Sequence, residues 1–197
     1  IGDPAFGTRP NQPAAPAAFR AVSALLCLVP YTPLILMGHE WAASTPFQYF
    51  TDHEPELGRL VTEGRRSEFS SFEAFRDPVA RARIPDPQAE QTFQESKLRW
   101  DEIEESDHAA ILLLYREFLH FRRESPALRD PSRDSFRVHP PSAGMIQLLF
   151  GQAGKQQCLV LADLVGGHAI PPLDHRTWEL ILSSNEKRFG GAESAPF

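Results

Sequence analysis

From Ala17 to Leu28 apolar residues recur at helical spacing behind Pro16. The pattern predicts a helix opened by Pro16 and closed before Pro30. The next run, Thr32 to Met37, is apolar at successive rather than alternate positions, which predicts a strand buried on both faces. Helix, proline turn and all-apolar strand together suit an α/β layer or barrel. Residues 38–100 form a long polar stretch, with short helices expected at Glu54–Glu63 and Glu90–Leu98. A stretch of this length between regular elements points to function or disorder, and its ordered aromatics favour function. Ser106 or Asp107 is a candidate cap for a further helix through Glu124. Its apolar stripe holds Ile111, Leu114, Tyr115, Phe118, Leu119 and Phe121, and its wet side Arg116, Glu117, Arg122, Arg123 and Glu124. Beyond Pro126 the pattern changes to short β candidates, Ser135–His139, Met145–Phe150, Cys158–Leu164 and Thr177–Leu182, separated by Gly, Pro, Asp or Asn. The expected division is an α/β part over residues 1–128 and an all-β part over 129–197.

The stretch LILMGHEWAASTPFQYFTDH, Leu34 to His53, leaves the expected strand at Gly38 and is rich in aromatics. In a parallel barrel, function gathers at the carboxyl ends of the strands. Gly38 would then let the backbone turn sharply onto that rim. Trp41, Phe47, Tyr49 and Phe50 offer flat apolar faces, and Glu40, Gln48, Asp52 and His53 offer hydrogen-bonding groups, the two halves of a sugar site. The residues alone leave a second reading open, in which the aromatics pack the loop onto the fold.

Charge narrows the partners. The formal net charge is -6 and no Lys/Arg-rich run occurs, which argues against nucleic acid and against an anionic membrane surface. The apolar run from Ala21 to Met37 is broken by Ser23, Pro30, Thr32 and Pro33 and makes a poor spanning helix. Cys27 and Cys158 are expected to be free buried thiols, in keeping with a cytoplasmic setting. The histidines lack metal-ligand spacing, and no Walker loop, GxGxxG, HExxH, CxxC or GxSxG motif occurs, so neither metal nor cofactor is expected. Histidines 108, 120, 139, 168 and 175 are expected on surfaces or helix faces. A glycosidase needs two carboxyl groups about 5–5.5 Å apart for retention or about 6.5–9.5 Å for inversion. The acidic run Asp101–Glu105 reads instead as a solvated segment favourable to the following helix.

MGHEWAASTPFQYFTDH, EGRRSEF and IPDPQAEQTFQESKLRW, in that order, with WELILSSNEKRFGG in the tail, closely resemble the malto-oligosyltrehalose trehalohydrolases, members of the α-amylase superfamily of glycoside hydrolases. The resemblance implies a fold of the α/β plus all-β kind. It would be the last part of a (β/α)8 TIM barrel (helix 7, strand 8, helix 8) followed by a small antiparallel β-sandwich domain. It implies hydrolysis of the α-1,4-glucosidic bond next to the terminal trehalose of malto-oligosyl trehalose, by an aspartate nucleophile, a glutamate acid and a supporting aspartate. IGDPAFGTR resembles the segment directly after the family's Asn-His-Asp-Gln motif, so no residue here inherits a catalytic role. The chain is expected to be a C-terminal fragment, inactive alone. Within the resemblance the substrate-binding candidates are Glu40, Trp41, Phe47, Phe50, Arg65, Asp86 and Gln88. Trp41→Ala should then weaken substrate binding more than stability. His39 stands where the family usually has Glu, and Gly2-Asp3-Pro4 where it usually has Gly-Asn-Arg. Other amylase relatives, including α-amylases and glycogen branching enzymes, and a non-catalytic glycan-binding or scaffold protein are the alternatives.

Overall fold

The computed structural model describes residues 4–129, 132–139, 142–169 and 177–193. In chain order its helices are α1 (Pro16–Leu28), α2 (Pro55–Glu68), α3 (Pro78–Ala82), α4 (Glu90–Ser96), α5 (Ser106–Glu124) and α6 (Pro126–Arg129), and its strands β1 (Phe136–His139), β2 (Met145–Phe150) and β3 (Cys158–Asp163). The chain folds as two compact units, residues 14–42 with 101–197, and residues 1–13 with 43–100.

In the helix–sheet unit α1 begins with proline among its first helical residues and ends before Pro30, as its sequence dictates. Its buried residues Ala24, Cys27 and Leu28 meet Leu114, Tyr115 and Phe118 of α5 in one core. The strands form an antiparallel sheet in the order β1-β2-β3. Register pairs Leu148 with Val160 and Phe150 with Cys158. Alternation therefore places Ile146, Leu148, Phe150, Cys158 and Val160 on one face, and all five join the helix core. The tail closes on the same core. Phe189 is fully buried beside Phe118, with ring centroids 5.9 Å apart. A Cβ on Gly191 would lie 1.9 Å from the Asn185 carbonyl oxygen, so the closing turn requires glycine there. Arg20 ties the turn back to α1 by donating to the Ser184 carbonyl at 3.1 Å and to Asn185 Oδ1 at 3.3 Å.

The loop unit has a small core of Ala5, Phe69 and Ile84, with Phe75 packed against it. Its opening segment is pinned by the loop at 43–48. Phe47 N–H donates to the Gly7 carbonyl at 2.8 Å, and Gln12 Nε2 to the Ser44 carbonyl at 2.9 Å. The backbone approach at Gly7 is close enough that a Cβ would sit 2.4 Å from Phe47 backbone atoms.

Several expectations change. Residues 32–37 are not a strand; Leu34 is 81% exposed and Met37 55%, while Ile35 packs on the helix core. A strand exists only by pairing, and no described residue pairs with this segment. Residues 177–182 likewise form no strand with any described residue, with Leu180 and Ile181 about half exposed. The described strands thus make one sheet and not a sandwich. The helix expected at Glu54–Glu63 runs on to Glu68, and α4 stops at Ser96, before the expected Leu98. The residue flanking the N-terminus of α5 is Glu105, with no side-chain cap bond. The helices α1 and α5 belong to one compact unit with the sheet. The shared apolar core is the reason.

Tyr31, Leu34 and Met37 expose apolar side chains on a segment with no strand partner among the described residues. Studied by itself, the chain should self-associate through it. Sedimentation velocity should show concentration-dependent species that the pair Leu34→Ser and Met37→Ser reduces. A monomer with a cooperative thermal transition would contradict this.

Candidate functional site

The His-Glu-Trp triplet forms a single 3-10 turn, His39–Trp41, flanked by two left-handed residues, Gly38 (φ 88°) and Ala42 (φ 55°). Glycine takes the first at no steric cost, but Ala42 carries strain of about 1–3 kcal/mol that its surroundings must hold. The holders are visible. His39 N–H donates to the Leu36 carbonyl at 2.9 Å, and Ala42 N–H to the His39 carbonyl at 3.1 Å. His108, in the first turn of α5, lies with Nδ1 2.7 Å from the Trp41 carbonyl oxygen. Trp41 itself is only 2% exposed, so it presents no face for a ligand and instead anchors the turn in the core.

Glu40 projects from this turn. Its Oε2 is buried, with no hydrogen-bond partner among the described residues. A buried carboxylate oxygen without a donor is costly. Burial raises the Tyr115 phenol above its ordinary value, and the nearby Cys27 and Glu40 push it the same way against a hydrogen bond to Ser23. Cys27, a free thiol, is pushed up to about 12 by burial, opposed by Arg122.

The other candidates lie in the loop unit. Phe47 and Phe50 meet edge-on, with centroids 6.2 Å apart, and Phe50 meets Phe93 of α4 at 5.1 Å. Phe50 is 37% exposed and Phe93 40%, so this row offers the solvent-facing aromatic surface that Trp41 does not. Lys97 Nζ lies 4.8 Å from the Phe93 centroid. Arg65 is buried, its guanidinium 4.8 Å from the Tyr49 ring and 5.3 Å from the Phe69 ring, with Nη2 donating to the Pro4 carbonyl. Asp86 and Gln88 are joined through the bond from Gln88 N–H to Asp86 Oδ1 at 2.9 Å. Asp86 also accepts from Thr62 Oγ1 on α2 at 2.8 Å. Gln88 Oε1 accepts from Thr51 Oγ1 at 2.6 Å and from His53 N–H at 3.2 Å, while Nε2 donates to the His53 carbonyl at 2.9 Å. These bonds stitch the 84–88 turn to α2 and to the 51–53 loop. The Asp86 carboxyl is held below its usual range, first by the Gln88 N–H, then by Thr62 and Arg66 against a burial effect.

Among the described residues no three His, Cys, Asp or Glu side chains converge as metal ligands, and no helix is long and apolar enough to cross a membrane. A cavity of about 510 Å³ lies elsewhere in the helix–sheet unit, lined by Asp134, Phe136, Arg137, Leu149, Gly151 and Lys155 among others; none of the sequence candidates borders it. Phe93, which packs on Phe50, and His108, which meets the Trp41 carbonyl, are not among the sequence candidates. Phe93 lies inside the motif IPDPQAEQTFQESKLRW, which is the available signal, whereas nothing local marks His108 as a partner of a carbonyl 67 residues away.

The chain is 47% identical over 135 residues to the malto-oligosyltrehalose trehalohydrolase of Deinococcus radiodurans, a match covering 68% of this chain and 22% of that protein. The Brevibacterium helvolum protein of the same name is 44% identical over 131 residues, 66% of this chain and 21% of that one. This chain is a relative of the malto-oligosyltrehalose trehalohydrolases. It spans about one fifth of their length. A solved structure from Salmonella typhimurium, described as an alpha amylase, superposes with a TM-score of 0.74 at 30% identity, covering 89% of this chain and 29% of that one. No protein-family model matches. Antiparallel strands after helices and an amylase-like fold are therefore shown. Of the two departures from the trehalohydrolase pattern, His39 opens the 3-10 turn, whereas Gly2 and Asp3 lie outside the described residues.

The packing sets three outcomes for the natural protein that carries this chain. Trp41→Ala should cost about 3–5 kcal/mol of stability, the usual range for emptying a buried aromatic site, reversing the order expected from sequence. Gly58→Ala, ordinarily worth a gain of up to about 1 kcal/mol in a helix, should destabilise, because its Cβ would lie 2.3 Å from Gln88 Nε2 and displace that side chain. Asp86, with its folded pKa depressed, adds stability above the ordinary carboxylate range, and this is lost as pH falls through that range. Asp86→Asn should therefore narrow the stability gap between neutral and acid pH. Urea unfolding across pH checks all three, and a stabilising Gly58→Ala would contradict the packing described.

Proposed function

We propose that this chain is part of a glycoside hydrolase that cleaves the α-1,4-glucosidic bond next to the terminal trehalose of malto-oligosyl trehalose and releases trehalose. The observation that carries the reading is the identity to trehalohydrolases, 47% over 135 residues of this chain. On this reading residues 1–128 end a (β/α)8 catalytic barrel, with 32–37 as its eighth strand, and residues 129–197 belong to a C-terminal β domain. The three reacting carboxylates come from other parts of the protein, and this chain is inactive alone. Its share is recognition. The Glu40 carboxylate accepts a hydrogen bond from a sugar hydroxyl; among the described residues no donor reaches its Oε2. Phe47 and Phe50, extended by Phe93, give the apolar surface for a glucose face. Arg65, Asp86 and Gln88 contribute mainly by fixing the loops that carry those rings, and Trp41 by shaping the Glu40 turn. The substrate is a neutral oligosaccharide, with no nucleic acid, membrane, metal or cofactor involved, in a cytoplasmic setting that suits two free cysteines.

A second reading, an α-amylase or branching-type enzyme, draws on the 30% identity and TM-score of 0.74 with the Salmonella structure. Incubation of the natural protein with malto-oligosyl trehalose, and separately with maltodextrin of equal length, separates the two. Free trehalose from the first, with slow turnover of the second, is expected. Maltodextrin cleavage or branch transfer without trehalose release would favour the second reading. Glu40→Gln should lower kcat/KM on malto-oligosyl trehalose about tenfold, about 1.4 kcal/mol of transition-state stabilisation.

A further inference from the structure

Resting on the reading of Glu40 as a sugar contact, the geometry also points to a residue outside the loop. The Glu40 carboxylate has one oxygen with no hydrogen-bond partner among the described residues, and its Cα belongs to the 3-10 turn, whose backbone therefore sets where the side chain starts. The turn leaves through Ala42, a left-handed residue that is not glycine, a conformation that persists only when its surroundings impose it. His108 reaches the turn from α5, its Nδ1 2.7 Å from the Trp41 carbonyl oxygen, one residue after Glu40 and one before Ala42. A carbonyl can only accept, so His108 donates from Nδ1.

We propose that His108 is a positioning residue for Glu40: by holding the Trp41 carbonyl it fixes the left-handed exit of the turn and aims the Glu40 carboxylate at the sugar hydroxyl. Its effect belongs in turnover of the bound sugar more than in the folding of the protein.

Kinetics of the natural protein with malto-oligosyl trehalose test this. His108→Ala should lower kcat/KM about tenfold with little change in Tm. His108→Asn, whose side-chain amide can donate from near the position of Nδ1, should recover most of the loss. In a Glu40→Gln background His108→Ala should cost less than about twofold more, because the group it aims is already altered. The proposal is overturned if His108→Ala leaves kcat/KM within about twofold of the parent, if its loss is undiminished in the Glu40→Gln background, or if the loss follows a fall in Tm that Asn does not restore. Should Glu40→Gln alone leave kcat/KM unchanged, the reading of Glu40 fails and the role of His108 fails with it. A large Glu40→Gln effect with a neutral His108→Ala overturns only the positioning role.

Discussion

Packing of α5 against α1 decides where everything else in the helix–sheet unit can go. Leu114, Tyr115 and Phe118 bury against Ala24, Cys27 and Leu28, and the sheet and Phe189 close over the same core. From this fixed helix, polar contacts reach both ends of the connector that follows α1. Near the carboxyl end of α5, Arg122 donates to the carbonyl oxygens of Cys27, in the last turn of α1, and of Val29 and Tyr31 just beyond it. At its amino end, His108 meets Trp41. The two contact points lie about 21 Å apart along the helix axis, so α5 sets both where the extended segment 32–37 starts and where the Glu40 turn finishes.

That arrangement explains how an exposed segment outside any strand can still deliver a defined turn. Residues 32–37 have no strand partner among the described residues, and Leu34 and Met37 face solvent, yet Ile35 is seated on the core and both flanks are pinned. The loop unit works differently. It has a small apolar core and relies on hydrogen bonds between side chains and backbone, with Asp86, Gln88, Thr62 and Arg65 at the crossings. Each such group makes more than one contact across the loops, which is how so polar a stretch is held without regular strands.

Where the signal is local, the sequence is enough. Pro16 and Pro30 bracket α1, the α5 stripe recurs at helical spacing, and the short apolar run Met145–Phe150 marks β2. Where structure depends on distant partners, sequence is a poor guide. The apolar run 32–37 reads as a buried strand, though pairing is a property of two segments and not of one. Trp41 and Phe50 look alike as aromatic surface in a string of residues, yet one is 2% exposed and the other 37%. Asp86 and Gln88 have the chemistry of ligand contacts, but several of their polar atoms bond within the loop unit. Recognition of the trehalohydrolase motifs succeeds because it rests on residue order rather than on exposure. It names Glu40 but not His108, whose partner is a carbonyl that any residue could supply.

The most direct measurement is a crystal structure of the natural protein, in a catalytically inactive variant, with malto-oligosyl trehalose bound. The account predicts Glu40 within about 3.2 Å of a hydroxyl at the trehalose end, Phe50 against a glucose face, and residues 32–37 paired in a parallel sheet. A substrate bound away from the Glu40 turn, with residues 32–37 unpaired, would contradict it.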